Sequence, residues 1–221
     1  MRPRSWIALR RQVAGGVFAV AACIALVASP AQAEDNAAKS GATLTALVGD
    51  VSVVKGKAPA KKLTVDSPLV VGDIVKTGAS ARAQLKFVDG SVVTLGENSE
   101  IKIGRYRVEG DDRHGFLDLV RGVARAVVTK MAPASTFEIR TPTAVAAVRS
   151  TTWMLEYNAK GETEVFVGEG SVAVTSRGAG LGRVLLEPGH GTTVAKDKAP
   201  IPPEVWAQAR AGDMRQRASM P

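Results

Sequence analysis

Alternation of apolar and polar side chains is the clearest pattern in the chain. In ARAQLKF (residues 81–87) every second residue is apolar, and Arg, Gln and Lys lie between them. Because successive side chains of a strand point to opposite faces, this pattern predicts a strand with one buried face. Asp89 and Gly90 then precede SVVTL, and an Asp-Gly pair between two such runs predicts a tight hairpin. Gly49 and Asp50 separate TLTALV from VSVVK in the same way and predict a second hairpin.

The alternating pattern continues through most of the chain. EVFVGEGSVAV (residues 164–174) repeats the arrangement around a Gly-Glu-Gly turn, and further strand-type runs follow at intervals of about 8–12 residues. No long segment with helical periodicity separates them. Residues 43–195 are therefore predicted to form one all-β domain, a roll or sandwich of short antiparallel hairpins.

The C-terminal segment has a different composition. Residues 196–221 are predicted to form a proline-rich linker followed by a short C-terminal helix and tail. Pro202 and Pro203 precede the first helical residues, where proline is well tolerated. Trp206 would lie on an apolar stripe of that helix. Gly212 is expected to weaken it, and the last residues to fray.

The N-terminus has the three parts of a secretory signal peptide. A basic start precedes an uncharged run with an apolar centre, which ends in SPAQA at Ala33. Cleavage after Ala33 is expected to remove residues 1–33 and to leave residues 34–42 as a flexible leader. The predicted location is therefore periplasmic or secreted. Two alternatives remain open: the run is an uncleaved membrane anchor, or Cys23 is a lipidation site.

Export changes the meaning of the charge. Residues 1–33 contain four of the 29 basic residues and no acidic residue, so the net charge falls from +8 to +4. This mild excess lacks the clustered basic face that nucleic-acid binding requires. Cys23 is the only cysteine in the chain. The exported part therefore has no disulfide, no thiolate metal site and no cysteine nucleophile.

A cluster of an arginine and hydroxyl residues is the first candidate site. Arg149, Thr151 and Thr152 lie between the apolar runs AVAAV and WMLEY. Arg149 is expected to donate hydrogen bonds to backbone carbonyls at a strand crossing, and the threonines to satisfy local backbone groups. The alternative is a binding site for an anion or a peptide carboxylate.

The two histidines of the exported part show no arrangement typical of catalysis. His114 lies beside Glu109, Asp111 and Asp112, where a solvated loop is favoured over a calcium or zinc site because the ligand spacing is absent. His190 lies in the turn EPGHG. No catalytic, cofactor-binding or metal-binding residue is therefore assigned.

Large aromatic side chains and strand edges supply further candidates for binding. Trp153 and Tyr157 share one face of a predicted strand, together with Leu155, and core packing is favoured over an exposed platform for a glycan or peptide. SVVTLGENSEIKI (residues 91–103) and similar strands would accept an added strand from a partner if they lie at a sheet edge.

Several of these segments resemble the FecR domain when they are taken in order. LVVGDIVKTG, with Gly72 and Asp73, is followed by FVDGSVVTLGENSEIKI, with Asp89 and Gly90, and then by RTPTAVAAVRSTTW. VFVGEGSVAV and LLEPGHGTTV complete a resemblance over residues 46–194. Where the family usually has glycine after the arginine, this chain has Ser150, which would be strained if the position needs a positive φ.

The resemblance implies an exported β domain that binds or relays and does not catalyse. The best-known member is a membrane regulator that passes a signal to a sigma factor. Because only twelve residues precede the apolar run here, a stand-alone exported module that binds a peptide, protein or envelope polymer is expected instead. The alternatives are an anti-sigma-type relay retained in the inner membrane and an envelope hydrolase that uses residues such as Asp111 or Glu169.

Overall fold

The computed structural model describes residues 40–109, 112–130, 132, 135–178 and 180–221. The predicted signal peptide, with Cys23, and Asp111 lie outside these ranges. The strands in the described part are β1 (Ser40–Val48), β2 (Val51–Val54), β3 (Lys61–Lys62), β4 (Pro68–Val70), β5 (Ile74–Thr77), β6 (Arg82–Phe87), β7 (Val92–Leu95), β8 (Glu100–Glu109), β9 (Asp112–Val128), β10 (Thr136–Arg140), β11 (Ala144–Val148), β12 (Thr151–Tyr157), β13 (Thr163–Glu169), β14 (Val172–Ser176), β15 (Arg183–Leu186), β16 (His190–Val194) and β17 (Glu204–Val205). One helix, α1 (Gln208–Arg217), follows them. The prediction of an all-β fold with a short C-terminal helix is confirmed.

The strands form two sheets that share strand β9. The first sheet has the order β4-β1-β6-β7-β9-β12-β13-β16-β17. The second sheet has the order β3-β2-β5-β8-β9-β10-β11-β14-β15. Among the described strands, all pairings are antiparallel except the parallel pairing of β9 with β10. A mainly antiparallel arrangement agrees with the alternating pattern of the sequence.

The inner faces of the two sheets enclose one main apolar core. Ala83, Leu85 and Phe87 of β6 are buried, whereas Lys86 is exposed, as the alternation in ARAQLKF predicts. Trp153 is fully buried in the same core. The interpretation of this tryptophan as a core residue is therefore confirmed, and Tyr157 is half-buried.

Strand β9 crosses from one sheet to the other at Gly122. Residues before this glycine pair with β8 and β10, and residues from Gly122 onward pair with β7 and β12. Gly122 has a φ of +87°, and an added Cβ would collide with Ser99. The Ser99 hydroxyl donates to the carbonyl of Val123 at 3.2 Å and accepts its N–H at 3.0 Å. Glycine is required at this bend because it permits both the left-handed conformation and the close approach.

Two of the three predicted hairpin turns are crossings between sheets. The turn at Asp89 and Gly90 joins the paired strands β6 and β7, so this hairpin is confirmed. Gly49 instead lies in the connection from β1 of the first sheet to β2 of the second. Gly170 likewise lies in the connection from β13 of the first sheet to β14 of the second. Both glycines have a positive φ, +72° and +79°. A positive φ serves a hairpin and a corner equally well, so the local sequence does not distinguish them.

The segments at the two ends differ from their predicted boundaries. Strand β1 begins at Ser40, inside the segment 34–42 that was expected to be a flexible leader, and Ala42 is buried. At the other end, α1 continues through Gly212, and Met214 and Ala218 are buried. The expected fraying is therefore wrong, because these residues pack on the protein. In the described part of the chain, no helix has the length and hydropathy needed to cross a membrane.

Residues 204–218, which we call the C-terminal clasp, cover part of the outer face of the first sheet. Trp206 stacks on Phe166 of β13 with ring centroids 5.5 Å apart, and the Arg210 guanidinium lies 3.7 Å from the Trp206 ring centroid. The indole fills the space above Gly191, where a Cβ would collide with it. Arg217 donates two hydrogen bonds to Glu156, at 2.8 and 2.7 Å.

Candidate functional site

The motif residues Gly72 and Asp73 have a structural role in the turn between β4 and β5. Gly72 has a φ of +96°, in a turn with open space around it. Asp73 is buried, accepts the N–H of Val70 at 3.0 Å and forms an ion pair with Lys55 at 3.1 Å. The contact with Val70 is local to the turn, and the contact with Lys55 links the turn to the connection between β2 and β3, so Asp73 stabilises this corner of the fold.

Asp89 and Gly90 also stabilise a turn. The Asp89 side chain has no exposed surface and accepts the N–H and the hydroxyl of Ser91, at 2.9 and 2.8 Å. The Arg113 guanidinium lies 3.7 Å from the same carboxylate and neutralises its charge. Gly90 has a φ of +83°, as the tight hairpin requires.

The Tyr106 hydroxyl is buried near Asp89. It makes no hydrogen bond of standard geometry within the described residues. Burial disfavours the charged phenolate, and the neighbouring Asp89 carboxylate disfavours it further, so the pKa of Tyr106 is raised well above its ordinary value.

Three buried threonines form a hydroxyl network that the sequence analysis missed. The Thr163 hydroxyl lies 2.6 Å from the hydroxyls of both Thr141 and Thr143. Thr143 also donates to the carbonyl of Val194 at 3.0 Å, and Thr141 accepts the N–H of Ala144 at 3.0 Å. The network links the β10–β11 turn of the second sheet to β13 and β16 of the first. The segment TPT was the only signal for it, as part of the family resemblance.

The three hydroxyl residues after Arg149 differ in their burial. Thr151 is buried and donates to the carbonyl of Ser171 at 3.0 Å, which satisfies a backbone group as expected. Thr152 is half-buried, with its hydroxyl 3.5 Å from the Glu169 carboxylate. Ser150 is not among the described residues with positive φ, so serine in place of the family's glycine causes no strain here.

Arg149 does not hold the strand crossing together. Its side chain is exposed, and it makes no hydrogen bond or ion pair with any described residue. The expectation that it donates to backbone carbonyls is therefore wrong. The physical reason is that the chain turns outward after Val148, so the arginine lies at the surface. The alternative, an arginine available to an anion, agrees with this position.

Arg149 borders a groove of about 470 Å³ on the outer face of the second sheet. Ala147 of β11, Ala173 of β14 and Leu185 of β15 lie side by side in one cross-strand row. The two small alanine side chains leave the depression, and Leu185 is 58% exposed beside it. The other residues that line the groove are Thr136, Val148, Arg149, Ser150, Thr151, Gly170, Ser171 and Arg183.

The charged residues that line the groove are both positive. Arg183 is exposed and, like Arg149, makes no ion pair or hydrogen bond with a described residue. No acidic residue is present among the residues that line the groove. Two unneutralised guanidinium groups beside an apolar floor favour a carboxylate that carries an apolar part, because the guanidinium fork matches carboxylate geometry.

The other candidates do not come together into a site. His114 lies on β9 of the second sheet, 3.2 Å from the Thr136 hydroxyl, whereas His190 lies on β16 of the first sheet, 3.3 Å from the carbonyl of Pro188. Within the described ranges, no group of three His, Cys, Asp or Glu residues is arranged to hold a metal ion. Glu169 is exposed, and its carboxylate lies 3.5 Å from the Thr152 hydroxyl.

The strands that were expected as binding edges lie inside the sheets. β7 is paired with β6 and β9, and β8 is paired with β5 and β9. Their backbone groups are therefore used within the sheets, and the prediction that SVVTLGENSEIKI accepts a partner strand is wrong. The alternation that identified these strands does not depend on their position within a sheet.

Comparison with known proteins agrees with the order of motifs in the sequence. The model of the family described as FecR protein matches residues 73–173. Residues 73–173 therefore match a FecR domain, which confirms that part of the resemblance. No curated protein sequence matches the chain.

Two crystal structures of a candidate anti-sigma factor from Parabacteroides distasonis ATCC 8503 share the fold. The one at 2.50 Å has a TM-score of 0.52 and 18% identity over 62% of each chain. The one at 1.65 Å has a TM-score of 0.52 and 19% identity over 64% of each chain. The chain thus spans less than two thirds of these proteins. These neighbours give no support to the expectation that it differs from the sigma-regulating members of the family.

Proposed function

We propose that this protein is an exported, non-enzymatic binding module of the cell envelope. Its ligand is an anionic segment of a peptide or protein that binds in the groove beside Arg149. The observation that carries this proposal is the pair of exposed arginines, Arg149 and Arg183, which border one groove and have no described acidic partner. An incoming carboxylate supplies the counter-charge that the protein lacks there.

The geometry favours a carboxylate on an extended or flexible chain. The groove is open to solvent on one side, with an alanine floor and one exposed leucine. Enclosed apolar pockets are typical of small-molecule sites, whereas an open trough suits part of a larger partner. The arginines provide specificity for charge, and Leu185 provides apolar contact.

Binding experiments with charge variants test this proposal. Acidic, neutral and basic peptides of equal length are titrated into the protein and followed by isothermal calorimetry. Arg149→Ala and Arg183→Ala are each expected to weaken acidic-peptide binding roughly tenfold. Both variants should keep the wild-type stability, because the two side chains are exposed and unpaired. The effect should decrease at high salt.

Arg105→Ala is the matched control. Arg105 is also an exposed arginine of the second sheet, but it lies on β8, away from the groove. It should leave the affinity unchanged. Equal losses in all three variants would indicate a general charge effect, and equal affinity for acidic and basic peptides would contradict the proposal.

The location is a proposal that rests on the N-terminal sequence. SPAQA at Ala33 supports cleavage that leaves Glu34 as the first residue of the exported protein. N-terminal sequencing of the protein from a periplasmic or culture fraction should begin at Glu34. Recovery of the intact N-terminus in the membrane fraction would contradict cleavage.

A second candidate function is an anti-sigma-type relay retained in the inner membrane. The observation that favours it is the fold shared with the candidate anti-sigma factor, together with the apolar run before Ala33. In this role the groove would receive the periplasmic signal. Retention in the inner membrane and co-purification with a sigma factor would support the relay over the exported module.

A further inference from the structure

The described strands leave four sheet edges, and three of them are protected. The edge strand β3 consists of two exposed lysines, Lys61 and Lys62. The edge strand β4 begins with Pro68, and β17 follows Pro202 and Pro203. Proline and charged side chains, lysine above all, discourage pairing with another chain. The fourth edge, β15, has the sequence RVLL, with no proline or lysine and with Arg183 as its one charged residue.

The register of β15 shows which of its backbone groups are free. The N–H of Ser176 donates to the carbonyl of Gly182 at 3.2 Å, and the register Thr175↔Arg183 and Ala173↔Leu185 continues from there. In an antiparallel pair, hydrogen-bonded and non-hydrogen-bonded positions alternate. The N–H and C=O groups of Arg183 and Leu185 therefore point away from β14, toward the open side.

Those open-side groups have no described partner. Among the described strands, β15 pairs with β14 alone. The backbone groups of Arg183 and Leu185 make no hydrogen bond with any described residue. The side chains of the same two residues lie on the outer face and line the groove. One short segment thus presents free backbone groups, an unpaired arginine and an exposed leucine together.

We infer that β15 is the docking strand for an extended acidic segment of a partner, which adds to the second sheet as a further strand. Its main chain hydrogen-bonds with the backbone of Arg183 and Leu185. The acidic side chains on its outer face pair with Arg183, and their methylene groups lie along Leu185 and the alanine floor, while its apolar side chains occupy the opposite face. The inference rests on the proposed binding function and specifies how the ligand is held.

A proline substitution separates backbone binding from side-chain binding. Leu185→Pro removes an N–H that points away from β14, and edge strands tolerate proline where the N–H faces outward. Leu185→Ala removes the leucine side chain and keeps the N–H. The probe is the acetylated and amidated heptapeptide TEVEVET, with TKVKVKT as the basic control, and affinity is measured by calorimetry.

The two variants should differ in affinity while their folds remain alike. Leu185→Ala is expected to weaken TEVEVET binding about threefold, and Leu185→Pro at least about tenfold more, because a strand hydrogen bond is lost as well. Circular dichroism and urea unfolding check that both variants fold. Equal affinities of the two folded variants would overturn strand addition.

Amide hydrogen exchange on the wild-type protein provides an independent measurement. Bound TEVEVET should slow exchange at Arg183 and Leu185 at least about tenfold, and should leave Val184 little changed because its N–H already bonds to β14. Unchanged exchange at Arg183 and Leu185 in the saturated complex would overturn the inference, even if Leu185→Pro fails to fold.

The outcomes separate this inference from the proposed function. If TEVEVET binds in an Arg149-dependent manner but leaves the β15 amides unprotected, the groove binds anions and strand addition is wrong. If acidic peptides bind no better than basic ones, the proposed function and the inference both fail.

Discussion

At the residue scale, the buried hydroxyl of Thr163 is the centre of a small polar network. Its contacts with Thr141 and Thr143 are both 2.6 Å, and all three residues are buried. Thr163→Val keeps the shape of the side chain but leaves two hydroxyls without this partner. The free energy of unfolding should fall by about 1–3 kcal/mol in urea titrations.

Thr175→Val is the control for this prediction. Thr175 is exposed on β14, so the same substitution should change the free energy of unfolding by less than about 0.5 kcal/mol. A similar loss in both variants would show that the effect does not depend on the buried network.

Tyr106 gives the protein a sensitivity to alkaline pH. Its pKa is raised in the folded state by burial and by Asp89, so the folded protein holds the phenolic proton more tightly than the unfolded chain. That contribution to stability is complete below the unfolded pKa of about 10 and is lost as the pH rises above it.

The prediction concerns the slope of stability against pH. Thermal unfolding measured at several pH values above about 9 should show a smaller loss of stability in Tyr106→Phe than in the wild-type protein. Parallel pH profiles of the two proteins would contradict the buried, neutral phenol.

Residue chemistry was predictable from the sequence where it is local. The turn at Asp89 was predicted from the Asp-Gly pair, because its geometry depends on neighbouring residues, and the contact of Asp89 with Ser91 spans only two residues. The role of Arg149 was not, because the direction of the chain after Val148 depends on how β11 and β12 separate into different sheets. The sequence identifies the arginine as a candidate, but it does not show whether the side chain is buried or exposed.

At the element scale, the bend in β9 depends on a single glycine. Gly122→Ala places a methyl group against Ser99 and requires an unfavourable positive φ. Gly72→Ala is the matched control, because Gly72 has a similar φ but open space around it. The control should lose about 1 kcal/mol from the backbone conformation alone.

Gly122→Ala should lose at least about 2 kcal/mol more than this control, because the collision is with a well-packed neighbour. Urea unfolding of both variants measures the difference. Equal losses would mean that Ser99 moves aside freely and that the bend is not fixed by packing.

The C-terminal clasp is expected to be an integral part of the fold. Trp206→Ala removes the indole from between Phe166 and Arg210 and empties the space above Gly191. The expected loss in the free energy of unfolding is about 3–5 kcal/mol. Val205→Ala, at a neighbouring residue that is 74% exposed, should lose little. A small loss for Trp206 would show that the clasp is held by its ion pairs.

Elements were predicted better than their pairing. Strands such as β6 follow from alternation, which is a property of consecutive residues. Whether a turn makes a hairpin or a sheet crossing depends on which distant strand pairs next, as for β1 with β6 and β2 with β5. The position of the clasp was missed because it depends on Gly191 and Gly96, whose open surfaces accept Trp206 and the end of α1.

At the scale of the whole molecule, both sheets contribute to one core. Leu85 of the first sheet and Ile101 of the second belong to the same buried cluster, and β9 is part of both sheets. The sheets should therefore unfold together. In a Trp206→Phe variant, Trp153 is the single tryptophan of residues 34–221, and its fluorescence transition should coincide with the loss of circular dichroism. Two separate midpoints would contradict this.

The groove is a property of the assembled molecule, and so it could not be predicted. Its floor brings together Ala147, Ala173 and Leu185 from three strands, through pairings between residues far apart in sequence. In the sequence, each alanine is an unremarkable strand residue. The arginine of the FecR-like segment was the one local signal that lay at its border.

The shared strand has a mechanical consequence for the protein. In a sandwich whose two sheets are held together mainly by side-chain packing, a force on one sheet is resisted chiefly by van der Waals contacts, which can slide. Here a single continuous backbone runs through both layers and bends at Gly122. A force applied to β15, at the edge of the second sheet, is therefore transmitted to the first sheet through the backbone of β9 as well as through the core.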